Sequence, residues 1–211
     1  MNATARLAEG LAALGLTLDD AAQARLLRLL DELLDWNTRV NLTAIRDRDE
    51  AITRHLLDSL SIQPFLRGPR LADIGTGAGF PGLPLAIANP GWRFALLESI
   101  GKKARFVQHA VSALGLDNVQ VVNARAEAWR PEVPCTDVIC RAVSDLAGFI
   151  RVAGHLCGPG GRLLAMKGRR PDDELAALPK GWQAVAVHRL VVPGLEAERH
   201  LVELARRGRA G

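Results

Sequence analysis

Within the 211 residues, the run best suited to holding a small charged ligand is Asp73-Ile74-Gly75-Thr76-Gly77-Ala78-Gly79-Phe80-Pro81-Gly82. Its glycines permit positive φ and let a ligand approach the backbone closely. An apolar segment, Arg70 to Ile74, precedes the turn, and a helical one ending near Ala88 follows it. A strand–turn–helix unit of this kind offers unpaired N–H groups and the positive end of a helix dipole. In open α/β sheets, ligands bind at the carboxyl ends of strands, which is where this turn would stand.

Two spellings overlap in the turn. Gly77 to Gly82 fits GxGxxG, the dinucleotide pattern. Gly75 to Gly79 fits GxGxG behind the acid Asp73, a form typical of class I methyltransferases. A diphosphate favours helix N–H groups and no carboxylate nearby. S-adenosylmethionine carries a sulfonium, an ammonium and a carboxylate, and Asp73 suits the ammonium directly or through water. Pro81 and Pro84 remove donors that a pyrophosphate would use. Glu98, at the end of the next strand, can accept from both ribose hydroxyls. NAD enzymes place an acid there too, so Glu98 supports a nucleoside without choosing the cofactor. The residues thus favour S-adenosylmethionine, with Asp73, Gly75, Gly77, Gly79 and Glu98 as its contacts. An NAD-dependent oxidoreductase is the alternative, carried by the GxGxxG spelling.

Further candidates lie at other predicted strand ends. Arg141 closes the fourth strand, where it can hold a cofactor carboxylate, an RNA phosphate or a guanine edge. Lys167 closes the fifth and, with Arg169 and Arg170, forms a basic cluster suited to phosphate. His55 and Asp58 are three apart on a predicted helix and share a face; they read as a pocket wall or a local packing pair. Arg199 and His200 come late, on the substrate side or on an edge strand. The net charge of +4 leans weakly toward an anionic partner.

These residues need a sheet to position them. Leu26, Leu27, Leu29, Leu30, Leu33 and Leu34 recur at helical spacing and predict a helix from Ala22 to Trp36, capped by Asp19 or Thr17. A second helix is expected from Arg48 to Ile62, before Pro64. Beyond Pro64 to Pro69 the texture changes to apolar runs alternating with helical stretches. Strands are predicted at 70–74, 93–97, 119–122, 137–140 and 162–166, the last after a turn at Gly158-Pro159-Gly160-Gly161. Helices are expected through Ala88, from Lys102 to Leu114, through Leu156 and from Glu174 to Leu178. Such alternation specifies a mostly parallel α/β sheet. Two closing strands, 184–190 and 200–205, with no helix between them, suggest an antiparallel edge hairpin and make seven strands. The expected division is a helical region at 1–66 and a core at 67–211.

Composition sets the outer bounds. With 48% hydrophobic and 24% charged residues, long disorder is not expected. Cys135, Cys140 and Cys157 form no CxxC pair and read as small buried hydrophobes in a reducing compartment. No metal site, secretory leader or apolar span of eighteen residues is visible, so a cytoplasmic protein, monomeric by default, is expected.

The motifs together resemble the bacterial glucose-inhibited division protein B family, methyltransferases of guanine N7 in 16S ribosomal RNA. The resemblance rests on Trp36-Asn37 with Asn41-Leu42-Thr43-Ala44-Ile45, and on His55 with Asp58-Ser59-Leu60. It continues through the glycine turn to Pro84, Lys102-Lys103 with Phe106, Arg125-Ala126-Glu127 and Cys140-Arg141-Ala142. Met166-Lys167-Gly168, Val192-Pro193-Gly194-Leu195 and Arg199-His200 complete it, over nearly the whole chain. Cys140 departs from the pattern, standing where the family more often has serine. The resemblance implies a Rossmann-like class I methyltransferase core behind a small helical region. It also implies cofactor contacts at Gly75, Phe80, Ala126, Glu127 and Arg141. On this reading Arg141 and Lys167 serve the methyl transfer, and His55, Lys167, Arg169 and Arg199 face the RNA of the small ribosomal subunit. Guanine N7 is a nucleophile already, so no general base is expected. A non-catalytic RNA-binding module on the same fold is the third possibility. Amine and cytosine-C5 methylation lack their marks: 141–144 has no Asn/Asp-Pro-Pro motif, and Pro134-Cys135 precedes the fourth strand.

Overall fold

Five largely apolar runs form the parallel part of the sheet, its inner strands mostly buried and one of the five at its edge. They are β1 (Arg70–Ile74), β2 (Arg93–Leu97), β3 (Val119–Val122), β4 (Cys135–Arg141) and β5 (Cys157–Lys167). The last two strands are β6 (Trp182–Leu190) and β7 (Arg199–Arg206). A computed structural model describes residues 2–141 and 144–208. The sheet order is β3-β2-β1-β4-β5-β7-β6, with β7 antiparallel to both its neighbours. The seven-stranded mixed sheet and its antiparallel edge are those expected from the sequence. The order reverses between β1 and β4, so the carboxyl ends of those two strands open the crevice where such sheets take ligands.

Two apolar layers cover the sheet. One joins Ala72, Val138, Leu163 and Leu204 to Leu146, Phe149 and Ala153 of the helix Leu146–Ala153. The other is larger. It joins Leu83, Leu85 and Ile87 of the helix Gly82–Ala88 and Phe106, Val107 and Ala110 of the helix Gly101–Leu114 to Leu26, Leu29, Leu30 and Leu33 of the helix Asp20–Asn37. The amino-terminal helices therefore share one continuous core with the sheet. His109 Nε2 adds a 2.7 Å contact to Glu32 Oε2 across the same seam.

Some boundaries differ from expectation. Within the expected helical region 1–66, a helix at Ala3–Ala13, which the spacing had not delimited, buries Leu7 and Leu11. Asp19, not Thr17, caps the next helix, its carboxylate accepting from Ala22 N at 2.7 Å. The helix expected at 48–62 is α-helical at Arg48–Ala51, π-helical at Ile52–Leu57 and α-helical again at Asp58–Leu60. The glycine–proline run 158–161 is not a turn before β5 but lies within it. Between Cys135↔Cys157 and Asp137↔Arg162 the register advances further along β5 than along β4, so the run is accommodated as a bulge. The short helix predicted at 174–178 lies at Asp172–Ala176.

Candidate active site

β1 delivers the chain to the crevice with Asp73 fully buried. Gly75, Gly77 and Gly79 then turn it at φ of 63°, 63° and 87°. Asp73 Oδ2 accepts from Thr76 Oγ1 at 2.6 Å and from Gly82 N at 2.8 Å, tying the turn to the first residue of the following helix. A Cβ at Gly82 would press on Leu96 Cδ2 and stand 2.9 Å from Asp73 Oδ2, so a side chain there would displace its neighbours. Asp73 Oδ1 is buried without a hydrogen-bond partner among the described residues. Burial raises the Asp73 pKa to about 6, against the hydrogen bonds from Thr76 and Gly82.

β2 delivers Glu98, also buried. Its Oε2 accepts from Gly77 N at 2.9 Å and its Oε1 from Ile100 N at 2.8 Å. Each oxygen keeps a second lone pair for a ribose hydroxyl. Beside Gly77 the space is open, with nothing within 4 Å of where a Cβ would stand. After β3, the short turn Ala126–Ala128 buries Ala126 and leaves Glu127 exposed.

The donors of the turn bear on the choice of cofactor. Gly79 N and Phe80 N both reach Thr76 O at 3.0 Å, and Leu83 N reaches Gly79 O at 2.7 Å. Gly77 N and Gly82 N are held by Glu98 and Asp73. Pro81 and Pro84 have no N–H to give. The helix start that a pyrophosphate would need is thus occupied by the protein's own acceptors. The unpartnered Asp73 Oδ1 and the two acceptor oxygens of Glu98 suit a cationic nucleoside, so these residues fit S-adenosylmethionine.

The other wall comes from the helical stretch 48–60. His55 is buried and lies on the Phe80 ring, with centroids 4.6 Å apart and planes at 22°. Its Nε2 meets Thr43 Oγ1 at 3.0 Å. Burial, helped by nearby Arg141, lowers its pKa to about 4, so the ring is neutral near pH 7. Thr43 is placed by Asn37, whose Oδ1 accepts from Leu42 N at 2.8 Å and Thr43 N at 3.1 Å. Asn37 thus holds the inter-helix segment.

Arg141, at the end of β4, stands over the Phe80 ring at 5.7 Å. Its Nη1 lies 3.5 Å from Asp58 Oδ2 and 3.3 Å from Arg54 O. Arg199, at the start of β7, donates Nε to Asp58 Oδ1 at 2.8 Å. Lys167, at the end of β5, donates to Glu174 Oε1 at 2.9 Å and reaches Ser144 O at 3.4 Å. Glu174 Oε2 in turn accepts from Leu146 N at 2.7 Å. Arg169 is exposed beyond the strand end. The fold brings Asp73, Gly75, Gly77, Gly79, Phe80, Glu98, His55 and Arg141 to one crevice, with Arg199 and Lys167 on the same sheet edge. Ala142, of the Cys140-Arg141-Ala142 motif, lies outside the described residues. Asp58 shares a face with His55, but its two arginine partners lie 83 and 141 residues away, beyond the reach of local patterns. Cys135 and Cys140 are buried, and burial pushes their thiols up to about 11 and about 12, as fits inert packing.

Sheet order, glycine turn and acids define a protein with the class I methyltransferase fold. Among solved structures, the glycopeptide N-methyltransferase MtfA complexed with S-adenosyl-L-homocysteine matches at a TM-score of 0.63 and 12% identity, over 72% of this chain and 87% of that one. A family model described as rRNA small subunit methyltransferase G, GidB, matches residues 22–202. Relatives called ribosomal RNA small subunit methyltransferase G are similar at full length. The one from Azoarcus sp. is 56% identical over 95% of both chains. That from Stenotrophomonas maltophilia is 55% identical over 94% of this chain and 92% of its own. The chain belongs to the GidB family.

Proposed function

We propose that the protein is an S-adenosylmethionine-dependent methyltransferase acting on N7 of a guanine in 16S ribosomal RNA of the small subunit. One observation carries the cofactor half of this reading. The N–H groups at the helix start are internally bonded, while Asp73 Oδ1 accepts nothing among the described residues. That arrangement disfavours a pyrophosphate and favours an ammonium, against the NAD alternative. The family names carry the RNA half.

When bound, S-adenosylmethionine supplies a methyl group on a positively charged sulfur. The chain's own residues need only orient and admit. Guanine N7 presents its lone pair in the ring plane with no proton to remove, so alignment is the main task. The site's chemistry agrees: His55 is buried and neutral, and Asp73 and Glu98 are committed to the turn. On this reading Asp73, Gly75, Gly77, Gly79, Phe80, Glu98, Ala126, Glu127 and Arg141 bind the cofactor. Arg141 and Lys167 border the transfer, and Arg169 and Arg199 meet RNA with His55 behind them. Among the described residues no helix is long and apolar enough to cross a membrane, and none group as a cluster of three or more metal-ligand types. We take the protein to work in the cytoplasm, as a monomer and without a metal.

Titration calorimetry with S-adenosylhomocysteine and NADH, alongside labelled-methyl transfer to small subunits, tests the proposal. Binding of the first ligand, none of the second, and label in RNA are expected. NADH binding alone would overturn the cofactor assignment. Cofactor binding without transfer to any RNA would favour a non-catalytic binding module.

A further inference from the structure

The carboxyl edge of the sheet carries positive charge on both sides of the crevice. On one side stand Arg199 of β7 and the exposed Arg169 beyond β5. On the other, β2 ends just before the helix Gly101–Leu114, which opens with Lys102, Lys103 and Arg105. Lys102 and Arg105 are three apart on one helix face and exposed, and Lys103 is half-buried. Arg105 Nη1 and Asn123 Oδ1 both lie within 4 Å of where a Cβ on Gly101 would stand, so this helix start and the segment after β3 come together. Exposed Arg125 follows on that segment. Asn123 ties the junction to the glycine-turn side of the sheet, its Nδ2 donating to Glu98 O at 2.7 Å.

The fold gives these four cations no acid. Among the described residues no carboxylate pairs with Lys102, Lys103, Arg105 or Arg125, whereas Arg39 and Arg48 elsewhere on the surface each reach one. Their placement also opposes the helix. Its first turn holds no acidic residue and no side chain caps it, so the lysines stand unrelieved at the positive end of its dipole. Cations held where they cost stability, beside Glu98, are explained by an anion from outside. Neighbouring strands lie about 4.8 Å apart, so β2 and β7, four places apart in the sheet, are separated by about 19 Å. A mononucleotide cannot reach from one basic rim to the other; a folded polyanion can.

We infer that Lys102, Lys103, Arg105 and Arg125 form a second phosphate-contact surface, so that the RNA lies across the crevice and is held on both rims. The inference rests on the RNA reading above and extends it to the β2–β3 side. Phosphate contacts of this kind set the register and orientation of a nucleic acid and leave the choice of base to other groups. They act on affinity through charge, and so through salt.

The test is a full-length variant carrying Lys102→Gln, Lys103→Gln, Arg105→Gln and Arg125→Gln, titrated with small subunits and with naked 16S RNA over a range of salt. The slope of log affinity against log salt should fall by about 3, and affinity at about 0.1 M salt should drop about tenfold or more for both ligands. Single-turnover transfer at saturating RNA and the Kd for S-adenosylhomocysteine should stay within about twofold of wild type. Arg105→Lys with Arg125→Lys should keep RNA affinity within about threefold, since phosphate attraction needs the charge and not the guanidinium fork. Melting temperature should be unchanged or raised, because the helix loses cations at its positive end. An unchanged affinity and salt slope would overturn the inference, as would a lower rate at saturation with affinity preserved. A loss confined to small subunits and absent with naked RNA would overturn it in favour of a ribosomal-protein contact. If the fourfold variant fails to fold, Lys102→Gln with Arg105→Gln and Arg125→Gln alone carry the test, with slopes lower by about 2 and about 1. Wild type that methylates no RNA would sink the functional reading, while the salt slopes of the variants still decide whether this surface meets RNA.

Discussion

The molecule contains two arginine clusters built from the same parts and used in opposite ways. At the amino-terminal side of the sheet, Arg162 of β5 is 3% exposed. Its Nε donates to Asp137 Oδ1 at 2.8 Å, its Nη1 to Glu203 Oε2 at 2.5 Å, and its Nη2 to the Phe65 carbonyl. The acids are saturated in turn. Asp137 Oδ2 accepts from Arg67 N at 2.7 Å and Gly68 N at 3.2 Å, and Glu203 Oε1 meets His188 Nε2 at 2.8 Å. Those hydrogen bonds hold the Glu203 carboxyl below its usual range against burial, which alone would raise it. At the carboxyl edge, two half-exposed arginines share the single acid Asp58. A buried cluster whose groups are paired inside the protein presents nothing to a ligand and serves the fold. A partly exposed one at a strand edge, with two arginines to one acid, keeps positive charge and donors for something else.

The largest effect should come from breaking the buried cluster. Arg162→Ala leaves two buried carboxylates without their partner, and should lower stability by about 3–5 kcal/mol. That is a large fraction of the total for a domain, so denaturant melts should show a destabilised or unfolded protein. Arg141→Ala should do the reverse. Its ion pair is long and partly exposed, so stability should change by about 1 kcal/mol or less, while methyl transfer falls about a hundredfold or more. Melting and rate measurements on the two variants side by side would invert the comparison if Arg141→Ala unfolded the protein while Arg162→Ala did not.

A smaller effect concerns pH. With its pKa near 6, Asp73 is ionised above that pH and protonated below it. An ammonium is attracted only by the ionised form, so affinity for S-adenosylhomocysteine should fall as pH drops through about 6. Asp73→Asn should bind more weakly with a flat profile. The sign for stability is the opposite one. The buried charge is the unfavourable form, so Asp73 detracts from stability above about pH 6, and the cost fades as pH falls toward the ordinary carboxylate range. The smallest effect belongs to exposed Arg169. Its loss should weaken RNA binding modestly and reduce the slope of log affinity against log salt by about 1.

What the sequence made legible follows the same division. β1, β2 and β3 match their expected bounds because each is a compact, mostly apolar run set off by polar or glycine-containing segments. The glycine turn was visible because positive φ restricts residue choice. The bulged start of β5 was not, since Gly158-Pro159-Gly160-Gly161 carries every local mark of a turn and only pairing with β4 absorbs it into a strand. Arg162 was read merely as the first residue of a strand. Its partner acids lie 25 and 41 residues away, and an arginine opening an apolar run is the one local hint. Asp58 was hidden for the same reason. Spacing showed its face, shared with His55, but not the two arginines that the sheet brings to it.

The central claim is that the unbalanced edge beside the glycine turn transfers a methyl group to guanine N7. Its most direct test is transfer of labelled methyl from S-adenosylmethionine to small subunits by wild type and Arg141→Ala, followed by mapping of the labelled base through the chemical lability of N7-methylguanine. Label confined to N7 of a 16S guanine with wild type, and lost with a folded Arg141→Ala, is the predicted result. Label on an exocyclic nitrogen, a ribose or ribosomal protein, or undiminished transfer by the variant, would contradict the account.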